Sequence, residues 1–276
     1  MTAAERATAY LVTRMPATYA AALAVLGEVR ARLGETAIET VLDVGAGTGA
    51  AALAALECWG RSTRVTMMER DGVFTEAARQ WLPDARVVAD DLMRVESLPP
   101  HDLVIAAYSL GELGRPEVDR PKVDERWAEL LWSAARVAVV VIEPGTPRGY
   151  ALALAVRDQL LKAGAYMAAP CPAASACPVR APDWCHFAAR VERSSLHRRI
   201  KDAELGYEDE KFSYVALARE AVCLPRARII RRPQHAPGLI ELRTCTPDGL
   251  GAEAVRKRDR GAYRAARHAG WGDALS

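Results

Sequence analysis

The sequence predicts an α/β chain built on a mostly parallel, Rossmann-like sheet with helices at its N-terminus. Three observations indicate this fold: short aliphatic runs alternate with helical segments over residues 38–162, a glycine-rich turn follows the first run, and an acidic residue ends the second. Continuous apolar strands that alternate with helices are typical of a parallel sheet covered on both faces. With 276 residues, half of them hydrophobic, the chain is long enough for one such domain with an added segment.

The elements of the first half follow from the spacing of apolar residues. Residues 2–33 are rich in Ala and carry apolar side chains at helical spacing, so we expect two helices there. Five parallel strands are predicted at 38–44, 64–69, 85–89, 103–107 and 136–142. The helices that connect and follow them are predicted at 50–58, 74–81, 123–135 and 150–162.

The alternation of apolar strands and helices ends in the second half of the chain. Residues 167–188 contain Pro and Cys without clear periodicity, and residues 189–219 are predicted to be mainly helical. Residues 227–231 and 239–243 alternate and flank a Pro/Gly turn, which predicts an antiparallel hairpin that closes the sheet. We therefore divide the chain into an N-terminal helical segment (1–36), a Rossmann-like core (37–165), a Cys-rich insert (166–225), and a closing hairpin with a basic tail (226–276).

The turn after the first strand is the main pointer to a ligand. Gly45, Gly47 and Gly49 let the backbone approach a ligand closely, and free N–H groups at the following helix start favour polar or anionic atoms. The dinucleotide fingerprint Gly-x-Gly-x-x-Gly is one residue longer than this turn. Asp43, inside the strand, is placed to meet an ammonium group or a bound water. Together with the terminal hairpin, these features resemble class I S-adenosylmethionine (SAM)-dependent methyltransferases and favour SAM over NAD; a turn that binds nothing remains the alternative.

Two acidic residues extend this cofactor hypothesis. Glu69 ends the second strand and is placed to accept both hydroxyls of a ribose. Asp90 ends the third strand, where it is placed to contact an adenine amino group. No catalytic residue can be named, because Tyr108, Ser109 and Glu112 after the fourth strand fit a pocket lining and a helix start equally well.

Cysteines form the second group of candidate ligands. Cys171, Cys177 and Cys185 lie close together in a Pro-rich stretch, and Cys245 ends the last strand of the predicted hairpin. Four thiolates suit tetrahedral zinc or an iron–sulfur cluster, and the absence of a two-residue knuckle favours the cluster. His186 is a possible substitute ligand, and unligated thiols are the remaining alternative. Two further cysteines are expected to be buried thiols: Cys58 and Cys223.

Basic residues concentrate in two segments, 186–201 and 256–267. They are either solvated helical faces or contacts to phosphate backbones. The candidate phosphate contacts are Arg190, Arg198, Arg199, Lys201, Arg256, Lys257 and Arg258.

Several motifs together resemble one known family. The motifs are Cys171-Pro172, Cys177-Pro178, DWCHF at 183–187, Arg193, YEDEKFSY at 207–214 and EPGTP at 143–147. They resemble the small-ribosomal-subunit methyltransferase-like family over nearly the whole chain. The resemblance implies a class I methyltransferase fold, a 4Fe-4S cluster on Cys171, Cys177, Cys185 and Cys245, and association with the small ribosomal subunit and its RNA. Within YEDEKFSY, the acidic residues at 208–210 are expected to pair with the Arg-rich segment.

These observations predict a SAM-binding, 4Fe-4S-containing protein that acts on or with the small ribosomal subunit, by rRNA methylation or as a non-catalytic assembly or translation factor. The alternative is a small-molecule SAM-dependent methyltransferase with a structural metal site. We expect no DNA and no membrane partner, because no apolar run approaches membrane-spanning length and no N-terminal stretch has the pattern of a signal peptide. A cytoplasmic location with reduced thiols is expected.

Overall fold

The computed structural model describes residues 2–113 and 120–275. Its main sheet has eight strands in the order β3-β2-β1-β4-β5-β8-β6, with β7 also paired to β8. The strands are β1 (Thr40–Val44), β2 (Arg64–Met68), β3 (Arg86–Val88), β4 (His101–Ala107), β5 (Ala135–Pro144), β6 (Tyr166–Ala169), β7 (Phe187–Glu192) and β8 (Tyr207–Ala218). The first five are parallel, as predicted, and β8 runs antiparallel to β5, β6 and β7. This sheet confirms the predicted class I methyltransferase fold class.

Helices cover both faces of the main sheet. They are α1 (Ala3–Thr13), α2 (Met15–Leu33), α3 (Ala50–Trp59), α4 (Gly72–Ala78), α5 (Arg120–Ala134) and α6 (Pro147–Lys162). Val140 and Ile142 of β5 pack in the core that includes α2 and α3, whereas Val139 and Val141 pack in the core that includes α5 and α6. Because successive side chains of a strand point to opposite faces and both faces are covered, β5 is apolar at every position from Val137 to Ile142.

Two sequence predictions for the segment that closes the main sheet are wrong. Residues 189–219 are not mainly helical: they form the end of β7, a short helix α7 (Ser195–Lys201) and β8. The segment 166–225 is also not a separate insert, since β6, β7 and β8 complete the main sheet. The acidic and Ala-rich composition of β8 favours helix locally, but its apolar half, including Phe212 and Leu217, is buried between β5 and its antiparallel neighbours.

The predicted closing hairpin belongs to a second sheet. That sheet has the order β10-β11-β9-β13, with β12 also paired to β11. Its strands are β9 (Ala227–Ile229), β10 (Gln234–Ala236), β11 (Leu239–Thr246), β12 (Gly249–Arg256) and β13 (Ala274–Leu275), and α8 (Arg260–Ala266) packs on it. A small core of its own, including Ile229, Ile240 and Leu242, explains why these strands form a separate sheet once β8 has taken the edge of β5.

Candidate cofactor and cysteine sites

The glycine-rich turn leads from β1 into α3. Gly45, Gly47 and Gly49 have φ values of 73°, 54° and 79°, in the left-handed region that favours glycine. Gly49 is the N-cap of α3 and has no side chain to cap the helix. In the first turn, the N–H of Ala52 donates to Asp43, while Ala50 and Ala51 line the cavity beside the turn.

A cavity of about 320 Å³ opens beside this turn, and we call it the glycine-turn cavity. Five of the six predicted cofactor residues line it: Asp43, Gly45, Gly47, Glu69 and Asp90. The sixth, Gly49, is not among the lining residues, and a Cβ there would lie 2.5 Å from Leu82. Gly49 therefore serves the packing of the turn, while the other five face one space.

The acidic residues occupy different environments in this cavity. Glu69 accepts hydrogen bonds from the N–H of Gly47 at 2.9 Å and of Asp71 at 2.8 Å, which holds its carboxylate against the turn. Asp43 is fully buried and accepts from the N–H of Ala52 at 3.0 Å. Burial raises the pKa of Asp43 to about 7. Because the folded pKa is raised, ionisation of Asp43 costs stability as pH rises from about 4 to that value, and a cationic ligand group offsets the cost.

The residues present fit a polar cofactor such as SAM. The Thr48 hydroxyl is 1 % exposed, lines the cavity and has no hydrogen-bond partner among the residues described. A buried hydroxyl without a partner is costly, so a ligand that bonds to it is favoured. The sequence did not indicate Tyr10 and Thr18, which also line the cavity from the N-terminal helices. Tyr108, Ser109 and Glu112 line it as well.

A matched pair of substitutions tests the turn geometry. Both Gly45→Ala and Gly47→Ala place a side chain at positive φ, which costs about 1 kcal/mol. Only at Gly45 does the new Cβ meet the protein, 2.4 Å from Cβ of Ser109, whereas at Gly47 the nearest atom is the Tyr10 hydroxyl at 3.9 Å. We expect urea unfolding to show a clearly larger loss of stability for Gly45→Ala. Equal losses would contradict the close approach of Ser109.

The second site collects the predicted cysteines around one space. Cys171, Cys177, Cys185 and Cys245 all line a cavity of about 50 Å³, which we call the cysteine cavity. This volume is several times what one water molecule needs. The first three thiols come from the loop between β6 and β7, and Cys245 comes from β11 of the second sheet.

The thiols of the cysteine cavity affect one another electrostatically. Burial raises the pKa of Cys171 and raises that of Cys185 well above its usual value. For Cys245, burial and then the neighbouring Cys171 and Cys177 raise the pKa to about 11. Thiols that hinder each other's ionisation lie close in space, and a bound cationic centre would reverse this effect.

Two buried arginines also line the cysteine cavity, and neither is indicated by the sequence pattern. Arg157 and Arg228 are each 2 % exposed. Arg228 of β9 donates to the carbonyl of Pro170 at 2.9 Å, to that of Gly272 at 2.8 Å, and to Glu28 of α2 at 2.6 Å. It thereby ties the second sheet to the cysteine loop and to the N-terminal helices. Two guanidinium groups beside four thiols suit a cationic metal core whose total charge, counted with four thiolate ligands, is negative.

The remaining candidate ligands lie elsewhere. His186 does not line the cysteine cavity: it packs between Trp184 and Trp271, with ring centroids 5.2 and 5.0 Å away. Cys58 is buried as expected, but Cys223 is exposed, contrary to prediction. Within residues 2–113 and 120–275, no group of three or more His, Cys, Asp or Glu side chains is arranged to hold a metal ion. The four predicted cysteine ligands nevertheless line one shared cavity.

Comparison with known proteins places the chain in a family. Residues 4–276 match the family model described as mitochondrial small ribosomal subunit Rsm22. The chain belongs to the Rsm22 family. A relative of this Rsm22 family chain is the human protein named ribosome assembly protein METTL17, mitochondrial, which is 30 % identical over 96 % of the chain. The chain spans 61 % of the length of that relative.

Two of the solved structures that the chain resembles are named as methyltransferases. Precorrin-6y C5,15-methyltransferase from Geobacter metallireducens is 14 % identical, with a TM-score of 0.41, and the match covers 71 % of the Rsm22 family chain and 87 % of that structure. A TehB-like SAM-dependent methyltransferase from Corynebacterium glutamicum is 17 % identical, with a TM-score of 0.41 and coverage of 70 % and 88 %.

No single helix in the part of the chain that the structure describes is long and apolar enough to cross a membrane. The segments Ala7–Thr13 and Met15–Leu33 meet that criterion only as a pair, with a bend of 46° between them.

Proposed function

We propose that this chain is a SAM-binding, 4Fe-4S-containing, methyltransferase-like protein that acts on or with the small ribosomal subunit. The observation that carries the proposal is the family match over residues 4–276, because this one stretch contains both the glycine-turn cavity and the cysteine cavity. The human relative is named as a ribosome assembly protein of mitochondria. A cytoplasmic location remains a prediction for this chain.

In the glycine-turn cavity, the lining residues suit the parts of SAM. Glu69 is fixed against the turn by two N–H donors and is placed for the ribose hydroxyls, and Asp90 at the rim is placed for the adenine amino group. A cationic group or an ordered water beside the buried Asp43 would stabilise its ionised form. Bound SAM would supply a methyl group attached to a positively charged sulfur, and these residues would hold and orient it.

In the cysteine cavity, we propose that Cys171, Cys177, Cys185 and Cys245 hold the 4Fe-4S cluster. Four thiolates suit an iron–sulfur cluster or tetrahedral zinc, and the absence of a two-residue knuckle between the cysteines favours the cluster. Three of these ligands come from one loop and the fourth from β11, so the cluster would join the main sheet to the second sheet. Its role would be structural.

The basic residues divide into paired and unpaired groups, which narrows the proposed RNA-binding surface. Two of the three acidic residues at 208–210 pair with the Arg-rich segment as predicted: Glu208 binds Arg193 at 2.8 Å and Lys201 at 3.0 Å, and Asp209 binds Arg190 at 2.8 Å. Glu210 instead binds Arg14 of α1 at 3.5 Å. Five of the seven candidates are exposed and form no ion pair with any described residue: Arg198 and Arg199 of α7, and Arg256, Lys257 and Arg258 at the end of β12 and just after it. We assign the main phosphate contacts to residues 256–258, because three consecutive cations without internal partners lie there.

Salt dependence tests this assignment. Each lost phosphate contact is expected to reduce the slope of log K against log salt by about 0.7–0.9. The triple variant with Arg256, Lys257 and Arg258 changed to Gln should therefore bind small-subunit RNA with a slope lower by roughly 2, measured by fluorescence anisotropy.

The matched control removes three exposed arginines from another part of the surface, by changing Arg61, Arg64 and Arg86 to Gln. This variant has the same net charge as the first. If both variants change the slope equally, binding follows overall charge and the proposed surface is wrong. If the unmodified protein does not bind small-subunit RNA or small subunits, the proposed function itself fails.

A further inference from the structure

Helix α6 presents two polar side chains to the cysteine cavity. Tyr150 and Arg157 are seven residues apart, about two helical turns, so they lie on the same face of α6. Both line the cavity, and each lies beside a different cysteine. The hydroxyl of Tyr150 is 3.2 Å from Sγ of Cys177, which is within hydrogen-bond distance for sulfur.

The guanidinium of Arg157 is held in a fixed position. It is 2 % exposed, and its two terminal nitrogens donate to Asp158 and to the backbone carbonyls of Ala173 and Ser175. These carbonyls belong to the loop between Cys171 and Cys177, so Arg157 also shapes that loop. Its Nε is buried and has no hydrogen-bond partner within the described chain. A buried donor without an acceptor is costly, which points to an acceptor that belongs in the cavity.

We propose that Tyr150 and Arg157 are positioning residues for the centre held by the four cysteines. Tyr150 donates its hydroxyl proton to the sulfur of Cys177, and the unpartnered Nε–H of Arg157 donates to an acceptor on the Cys171 side. This inference rests on the proposed 4Fe-4S cluster. It goes further, because it assigns the control of the cluster's reduction potential to two residues that are not ligands.

The expected effect on the reduction potential follows from the negative charge of the cluster. Reduction adds an electron to a centre that is already anionic, and hydrogen bonds to its sulfurs, together with a nearby cation, stabilise the more negative state. Removing either group should therefore make the reduction potential more negative. Tyr150→Phe removes only the hydroxyl, and Arg157→Gln removes the charge while retaining hydrogen-bond donors.

The test measures the midpoint potential of the anaerobically purified full chain by a redox titration followed by electron paramagnetic resonance. We expect a shift to more negative potential for both Tyr150→Phe and Arg157→Gln, with iron retained. Tyr166→Phe is the matched control, since Tyr166 is 50 % exposed and does not line the cavity. Its potential should equal that of the unmodified chain.

Two outcomes would overturn the inference, and they are distinguishable. If the unmodified chain contains iron but both variants have its potential, Tyr150 and Arg157 do not act on the centre and only this inference fails. If the unmodified chain contains no iron and sulfide, the proposed cluster fails and the inference fails with it. Tyr150→Phe, which removes a single hydroxyl, keeps the inference testable should Arg157→Gln not fold.

Discussion

Cys177→Ser protein purified without oxygen should lose most of its iron and sulfide and should associate weakly with the small ribosomal subunit. Cys177 lies between the other two thiols of its loop and contacts the hydroxyl of Tyr150. A serine hydroxyl is a poor replacement for a thiolate, so the loop should lose its connection to Cys245 of β11. The second sheet, which carries the unpaired basic turn at 256–258, should then be less firmly oriented. Iron analysis and co-sedimentation with small subunits measure the two effects together.

Cys223→Ser is the matched control for this experiment. Cys223 is exposed and does not line the cysteine cavity, so its replacement should leave iron content and subunit association unchanged. An iron-free Cys177→Ser protein that associates normally would show that the cluster is not needed to orient the RNA-binding surface. Parallel loss in both variants would indicate general instability of the chain.

Gly47→Arg should reduce SAM affinity by about 100-fold or more, equivalent to roughly 3 kcal/mol of binding free energy. Gly47 lines the glycine-turn cavity, its N–H donates to Glu69, and open space lies where its side chain would begin. An arginine side chain would enter the space assigned to the cofactor and would compete for the Glu69 carboxylate. Isothermal titration with SAM measures the change.

The same variant separates methyl transfer from a non-catalytic role. If the chain methylates small-subunit RNA, Gly47→Arg should abolish transfer of a labelled methyl group and fail to restore ribosome assembly in cells lacking the protein. If bound SAM is only a structural ligand, assembly should be restored. Gly27→Arg adds the same side chain at an exposed glycine of α2 and should bind SAM normally. Unchanged SAM affinity in Gly47→Arg would remove the glycine-turn cavity as the cofactor site.

The parallel part of the fold could be predicted because its physical signal is local. A strand covered on both faces is apolar along its central residues, as at 137–142 of β5, and the glycine turn marks the connection from strand to helix. The closing strands carry no such signal. The YEDEK half of β8 is acidic because its side chains pair with arginines from other elements, such as Glu210 with Arg14 at 3.5 Å. These partners are distant in sequence, so the segment resembles a solvated helix until tertiary contacts are known.

The residues of the candidate sites also differ in whether the sequence alone indicates them. The glycines of the turn are recognisable because a positive φ favours glycine, and the carboxylates because they end strands next to that turn. The grouped cysteines are recognisable because thiols are rare. Arg157 and Arg228 are not recognisable: arginine in an amphipathic helix or an alternating strand ordinarily faces solvent. Only the packing of α2 and the cysteine loop against them shows that Arg228 is bound by Glu28 and that Arg157 faces the thiols.

The central claim is that Cys171, Cys177, Cys185 and Cys245 together hold one 4Fe-4S cluster. Iron, acid-labile sulfide and zinc should be measured on the full chain purified without oxygen, beside the four single Cys→Ser variants. The account predicts about four iron and about four sulfide atoms per chain, with a loss in each variant. Stoichiometric zinc without sulfide, or a metal-free chain that folds and associates normally with the small subunit, would contradict it.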